Sequence, residues 1–200
     1  MKWNVITLTV WSATSLFAGQ EMNVSVCNLD EVAESLVSNA RRETEAVFRS
    51  AGIQIVWREC AGFRSPAEEA RDPWYRIRLW NRKSPRTNDP AALDLMGRAF
   101  LTESSGAGSM ADAYLQAVQD FAERHEPDDG ALLGFVIAHE LGHLLLGPGH
   151  ARDGVMQSPW GRKEVEAARR RSLLFNKEEA ARIRLELQTR TASADDPPGK

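Results

Sequence analysis

The stretch from Ala131 to Leu146 constrains this chain most, because it is strongly apolar and yet contains two histidines and a glutamate. Asp128 and Asp129 precede it, and an Asp at the N-cap can accept a hydrogen bond from the first free N–H groups of a helix. A Gly-Pro pair follows the stretch, and proline cannot continue a helix. The stretch is therefore predicted to be one helix that carries His139, Glu140 and His143.

The spacing of these three side chains favours a metal site. Residues four apart on a helix lie one above the other, so His139 and His143 can point both imidazoles at one ion. Glu140 lies about 100° round from His139, where it can reach a water on the metal but is poorly placed to bind the metal itself. Burying two unpartnered histidines would cost roughly 1–3 kcal/mol each, so a shared ion is the better explanation. The expected ion is Zn²⁺, with Glu140 as general base.

The third ligand is predicted to come from beyond the helix. Catalytic zinc usually has three protein ligands and an open position for water. The Gly-Pro-Gly turn at 147–149 can bring His150 back to the metal. Glu164 and Glu166 are alternative ligands, although their charged surroundings are more typical of a solvated helical face. His125 lies in a charged segment and is expected to be exposed.

Residues 139–156, HELGHLLLGPGHARDGVM, resemble the metzincin signature, HExxHxxGxxH followed by a methionine turn. The segment from Gly97 to Ala113 is also similar to the fourth and fifth strands of that family, as in the matrixins. The chain as a whole resembles a matrixin- or archaemetzincin-like metzincin. The resemblance implies a zinc peptidase in which Met156 lies beneath the zinc. It also implies that Gly97–Leu101 is an antiparallel edge strand whose residues, Gly97 and Ala99 among them, pair with the substrate backbone.

The chain departs from the metzincin pattern at the end of the helix. Gly147 and His150 each stand one residue later than the family spacing. The Gly-Pro-Gly turn could absorb the extra residue, and so could a local helical bulge. No tyrosine follows Met156 closely, and Trp160 comes instead. Trp160 is expected either to wall the pocket for the residue after the scissile bond or to be an ordinary core residue.

Upstream of the helix, the hydrophobic pattern predicts a sheet. Five strands are expected, at Met22–Cys27, Ile53–Trp57, Trp74–Trp80, Gly97–Leu101 and Ala111–Leu115. Loops are expected at Phe63–Pro73 and Asn81–Pro90, and further helices at Leu29–Ala51, in a short stretch toward Arg124, and at Asn176–Gln188. The first strand, helix and strand suggest a parallel βαβ unit. The fold class is therefore α+β and zincin-like: a twisted, mostly parallel sheet of about five strands with a backing helix, an active-site helix and a small C-terminal helical part.

Both ends of the chain are expected to lie outside the folded domain. Lys2 and the apolar run from Val5 to Ala18 are typical of an export signal, so residues 1–19 are predicted to be a signal peptide. The run is too short for a membrane span of about 20 residues, and no stable span is expected after its removal. Residues 20–190 form one metzincin-like catalytic domain, and 191–200 are predicted to be disordered. The protein is expected to be secreted or periplasmic.

Export affects the interpretation of the two cysteines. Cys27 and Cys60 are the only pair in the chain. An oxidising compartment permits a disulfide between them. Two buried free thiols that behave as small apolar residues are the alternative.

The sequence therefore predicts a secreted zinc metalloendopeptidase that acts on a peptide or protein substrate, with a zinc-bound water activated by Glu140. The net charge of −3 gives no electrostatic case for a nucleic-acid partner. Two alternatives stay open: a gluzincin-type peptidase with a downstream Glu ligand, and a secreted zinc-binding interaction module that cuts nothing. Glu140 argues against the second, since a purely structural site has no use for a base there.

Overall fold

The computed structural model describes residues 19–60, 74–84, 95–103, 106, 108–125 and 128–195. Residues 1–18 of the predicted signal peptide, the predicted loop 63–73 and most of the loop 81–90 lie outside this range. The described chain forms five strands and five helices, in the order β1 (Gln20–Asn28), α1 (Glu34–Ser50), β2 (Ile53–Arg58), β3 (Trp74–Trp80), β4 (Gly97–Phe100), β5 (Met110–Tyr114), α2 (Leu115–His125), α3 (Asp129–Leu146), α4 (Arg162–Arg169) and α5 (Lys177–Asp195).

The five strands form one sheet in the order β2-β1-β3-β5-β4. β1 pairs in parallel with β2 and β3, and β3 pairs in parallel with β5. β4 pairs antiparallel with β5 and lies at the edge of the sheet. The predicted mixed, mostly parallel sheet is therefore confirmed, and so is the antiparallel edge strand beginning at Gly97.

Alternation along the strands directs one set of side chains into the core. In β3, Tyr75, Ile77 and Leu79 are at most 2% exposed, whereas the residues between them are only partly buried. α1 packs against β2 and α3, and α3 packs against β4 and β5. The apolar side chains of these elements form one hydrophobic cluster. The sheet therefore supports α3 from beneath.

α3 is held close to α1 by a glycine and a threonine. A Cβ added at Gly134 would lie 2.6 Å from the backbone oxygen of Ala40, so only glycine permits this approach. Thr44 donates its hydroxyl hydrogen toward the carbonyl oxygens of Ala40 and Gly134, at 2.8 and 3.0 Å. In length and composition α3 resembles a membrane span, but 83% of it is buried inside the protein. It is the central helix of the core.

The beginning of α1 was predicted incorrectly. The apolar periodicity placed it at Leu29, but the helix begins at Glu34. The side-chain amide of Asn28 donates to the carbonyl of Val32 at 2.7 Å and its oxygen accepts from the N–H of Val32 at 2.8 Å. Glu31 takes a positive φ of 52°. The segment is therefore closed into a local turn before the helix can begin.

The predicted boundary of the C-terminal tail was also wrong in part. α5 continues to Asp195, past Thr191, and residues 196–200 lie outside the described range. Arg190 anchors this end of the helix by donating to the Tyr75 hydroxyl and to the backbone oxygens of Gly108 and Leu144, at 2.9–3.2 Å. Contacts to three separate elements thus extend the helix into a segment whose composition favours disorder.

The predicted cap at the start of α5 is confirmed. The Asn176 side chain accepts from the backbone N–H of Glu179, and the Glu179 carboxylate accepts from the N–H of Asn176, both at 2.9 Å. This reciprocal capping box satisfies two N–H groups that the first turn leaves free.

Candidate active site

The imidazoles of His139 and His143 converge on one face of α3. Their Nε2 atoms are 3.0 Å apart. Nδ1 of His139 lies 2.7 Å from the backbone oxygen of Val155, and Nδ1 of His143 lies 3.2 Å from that of Gly147. Because a carbonyl oxygen can only accept, each Nδ1 carries the proton and each Nε2 presents a lone pair to the other.

This pair of nitrogens fits a zinc ion. Burial, and then the nearby His143, lowers the pKa of His139 to about 3, and burial also lowers the pKa of His143. Both rings are therefore neutral, which is the form that binds metal. Zinc–nitrogen bonds of about 2.0–2.1 Å at a tetrahedral angle place two ligand nitrogens about 3.3 Å apart. Two lone pairs facing each other at a similar distance are stabilised by a shared cation.

His150 joins the pair by way of the turn that ends α3. Its ring centre lies 5.4 Å from that of His139 and 4.9 Å from that of His143. The ligand atoms of the three histidines all lie within 4.8 Å of one another. Sequence reasoning therefore selected three histidines that the fold does bring together, although His150 is exposed whereas His139 is buried.

The turn absorbs the extra residue of this chain. α3 is regular to Leu146, so the alternative of a helical bulge does not apply. Gly147 and Gly149 have φ values of +87° and +117°, which residues with a Cβ rarely adopt. The N–H of Gly147 also donates to the carbonyl of His143 at 2.9 Å. Gly147 thus closes the helix and orients the His143 ring with its own carbonyl.

Glu140 lies against the edge strand β4. Its side chain is 5% exposed, and burial raises its pKa to about 8. A backbone hydrogen bond from Ala99 acts in the opposite direction and lowers that pKa. A Cβ added at Gly97 would lie 2.6 Å from Cγ of Glu140. The carboxylate therefore occupies space that only a glycine at position 97 leaves free.

Met156 packs against Gly142, in the turn of α3 that carries the histidines. It is 2% exposed, and a Cβ added at Gly142 would collide with its Sδ. The preceding residue, Val155, donates its N–H to the carbonyl of Leu174 at 3.0 Å and accepts from His139 Nδ1. One short segment therefore both supports the helix from below and orients the first histidine.

A cavity of about 650 Å³ opens beside the three histidines. Gly97, Ala99 and Trp160, the three residues expected to contact substrate, all line it. The Trp160 ring lies edge-on to the His139 ring, with centres 5.8 Å apart. Trp160 therefore lines the cavity and also packs against the hydrophobic core, so both of its expected roles stay predictions.

The expectation that His125 is simply exposed is wrong. His125 is partly buried at the end of α2, its ring centre is 4.5 Å from that of Phe121, and both residues line the cavity. Arg124 and Val136 line it as well and were not identified from the sequence. Phe121 and His125 are four residues apart, which places them on one helical face, and this spacing is the signal that could have found them.

The alternative glutamate ligands lie elsewhere. Glu164 is 4% exposed, not solvated as expected, because its carboxylate accepts from the N–H of Gly161 at the start of α4 at 2.9 Å. Glu166 pairs with Arg170 at 2.7 Å on the exposed side of α4. Within the described ranges, the one group of three or more potential metal ligands is the histidine triad.

Cys27 and Cys60 form a disulfide, with their Cα atoms 5.0 Å apart. The bond joins the end of β1 to the residue two places beyond β2. Of the two states left open by the sequence, the structure contains the bonded one.

Comparison with known proteins shows a likeness at the level of the fold. No protein-family model and no curated protein matches the chain. Among solved structures the chain is similar to archaemetzincin from Methanopyrus kandleri, with a TM-score of 0.53 and 19% sequence identity. The match covers 86% of this chain and 98% of the other. The chain therefore has an archaemetzincin-like fold.

Proposed function

We propose that the protein is a zinc-dependent peptidase that hydrolyses peptide bonds, with Glu140 as general base. The observation that carries the proposal is the geometry of three histidines with ligand atoms within 4.8 Å of one another beside a buried carboxylate. The archaemetzincin-like fold supports it, since the name of that neighbour places it among the metzincins.

In this proposal His139, His143 and His150 hold the zinc. When bound, zinc polarises the scissile carbonyl and makes water more acidic. The chain's own contribution is orientation: the carbonyls of Val155 and Gly147 fix two of the imidazoles before any metal binds. Such partners commonly set the tautomer and direction of a metal-bound histidine.

Glu140 moves the proton in this proposal. A zinc cation held at the neighbouring histidines would lower the raised pKa of Glu140 and so favour its ionised form. The carboxylate then accepts a proton from the attacking water and later donates it to the leaving amine. The side chain is held between α3 and β4 with a hydrogen bond from Ala99, which limits its freedom and aims it into the cavity. A base held in this way needs little reorganisation before the reaction.

We further propose that β4 binds the substrate. As the edge strand it has one side free of any other strand in the sheet, so an extended peptide can add there as a further strand. Gly97 and Ala99 lie on this strand, and Trp160 stands across the cavity from it as a wall for the residue after the scissile bond.

Replacing Glu140 by glutamine tests the proposal. The change keeps the size of the side chain and removes its capacity as a base. We expect hydrolysis of a broad peptide library to fall by at least a hundredfold, which is the lower range for loss of general-base catalysis. Zinc content, measured by atomic absorption, should stay near one per chain. Wild-type turnover in this variant would refute the role of Glu140, and a wild-type protein that binds zinc but cuts nothing would indicate a non-catalytic zinc-binding module.

We also propose that the protein is exported, which places it in the secreted or periplasmic compartment. The Cys27–Cys60 disulfide supports this, because such bonds persist in oxidising compartments and are rare in the cytosol. Expression of the full chain, followed by mass spectrometry of the mature N-terminus, tests it. A cell-associated protein that retains its first 18 residues and two free thiols would contradict export.

A further inference from the structure

The cavity extends well beyond the histidines. His143 and His150 lie at one end of it, near the C-terminus of α3. Val136, one turn before Glu140 on the same helix, also lines it, and at the opposite end stand residues of α2. Because only the three residues 126–128 separate α2 from α3, the last turn of α2 lies by the N-terminal end of α3. A substrate side chain could therefore run along α3, away from the metal ligands.

The last turn of α2 presents three side chains to this end of the cavity. Phe121, Arg124 and His125 stand at spacings of three and four residues, so they share one face of the helix. Phe121 is 8% exposed and contacts the His125 ring. Arg169 of α4 donates to the carbonyl of His125 at 2.7 Å. This contact fixes the end of α2, and with it the position of Arg124.

The charges around the cavity favour an anionic ligand at this end. Glu140 is the one acidic residue among the described residues that line it. Arg98 also lines the cavity, but its guanidinium stacks over the Phe100 ring. Gly97 faces Glu140, and the Arg98 and Phe100 side chains lie on the opposite side of β4. Arg124 makes no ion pair with any residue in the described part of the chain. Its side chain is exposed and lines the cavity.

The cavity also has apolar lining. Phe121, Val136 and Trp160 supply aromatic and aliphatic surface to it. A side chain that enters here meets both apolar contacts and a cation. That arrangement matches a carboxylate on a short apolar stem.

We infer that Arg124, with His125 beside it, binds a carboxylate of the substrate on the side that follows the scissile bond, and that a glutamate side chain is the group it selects. The inference rests on the proposed peptidase function. The same chemistry could come from the free C-terminus of a short peptide, and the test separates these two sources.

Matched peptides measure the preference. A set of peptides identical except for Glu, Gln, Leu or Lys after the scissile bond is cleaved by the zinc-loaded protein, with the cut position mapped by mass spectrometry. We expect kcat/KM for the Glu peptide to exceed that for the Gln peptide about tenfold, because Arg124 is exposed and this is the lower range for a charge-assisted hydrogen bond. A second pair, truncated after that position and carrying either a free or an amidated C-terminus, shows whether a terminal carboxylate is the ligand instead.

Substitution at position 124 identifies the residue responsible. In Arg124→Gln, kcat/KM for the Glu peptide should no longer exceed kcat/KM for the Gln peptide, and Arg124→Glu should invert the preference toward Lys. Arg49→Gln removes one exposed positive charge from α1 and serves as the matched control, because a general loss of charge would affect both variants. Equal cleavage of the Glu and Gln peptides by the wild type, or a Glu preference that survives Arg124→Gln, would overturn the inference.

A binding measurement separates this inference from the proposed function. Calorimetry of the zinc-loaded Glu140→Gln protein with the Glu and Gln peptides does not require turnover. If no peptide is cleaved by the wild type and the Glu peptide still binds about tenfold more tightly through Arg124, the peptidase proposal fails and the carboxylate site stands. If peptides are cleaved and neither protein discriminates Glu from Gln, the carboxylate site fails and the peptidase proposal stands.

Discussion

Replacing Gly97 by alanine should damage catalysis while leaving the metal site intact. The new Cβ would lie 2.6 Å from Cγ and 2.7 Å from Cδ of Glu140. A normal carbon–carbon contact is about 3.5 Å, so the Glu140 side chain has to shift by about 0.9 Å. None of the atoms in this clash belongs to a histidine. The carboxylate is therefore expected to move while the three imidazoles stay in place.

The expected magnitude follows from that shift. A misplacement of about 1 Å can cost about a hundredfold in rate, and the full loss of a general base costs about 10²- to 10⁴-fold. We therefore expect kcat to fall about a hundredfold, with unchanged zinc stoichiometry. The side chain that must move is flexible, so the stability cost should stay near the low end of the roughly 1–3 kcal/mol typical of overpacking.

The assay is cleavage of a fluorogenic peptide, run beside zinc analysis and thermal unfolding. Gly161→Ala is the matched control, because its φ of −137° suits any residue and the nearest atom to an added Cβ is 3.7 Å away. In a double-mutant cycle, adding Gly97→Ala to Glu140→Gln should cost nothing further, since both changes remove the same function. A Gly97→Ala protein within threefold of wild-type kcat would refute the reasoning, and so would an additive double mutant.

Three further predictions concern the support of the site. Gly142→Ala should displace Met156 and lower the unfolding free energy by about 1–3 kcal/mol, measured by denaturant titration; an unchanged midpoint would contradict the close packing. His150→Ala should weaken zinc binding more than loss of a ligand's hydrogen-bond partner does, which costs roughly 10–100-fold. Competition with a chelating dye measures the affinity, and an unaltered affinity would exclude His150 as a ligand. Replacing Cys27 and Cys60 by serine should cost about 3–4 kcal/mol by the chain-entropy model for a sequence separation of 33, and an unchanged melting temperature would argue against that model here.

The features that could be predicted from the sequence are those with a strict local period. β3 has the predicted bounds, Trp74–Trp80, because Tyr75, Ile77 and Leu79 alternate with arginines and tryptophans along it. α3 and its histidines were predictable because a four-residue spacing on a helix fixes where side chains point. An Asp N-cap was also predictable, because such a cap acts within one turn. The structure assigns it to Asp128, whose side chain accepts from the N–H of Ala131 at 2.7 Å.

The features that were missed depend on contacts between residues far apart in the sequence. The end of α5 is set by the hydrogen bond from Arg190 to Tyr75, 115 positions away. The burial of His125 follows from the packing of α2 beside α3, which no local pattern specifies. Glu164 was expected to be solvated because its neighbours are charged, but as a cap it turns inward. A charged sequence does not by itself indicate which of its carboxylates is exposed.

The carbonyl groups of Val155 and Gly147 come from the same short stretch that carries His150 and Met156. The three histidines and the two carbonyls that orient His139 and His143 are therefore all contained in residues 139–156, and their assembly closes only a small loop. Short loops are inexpensive in chain entropy, so this centre can form early and as a unit once α3 is in place. Insertions within 147–155 should consequently be far more harmful than insertions of equal length between β3 and β4.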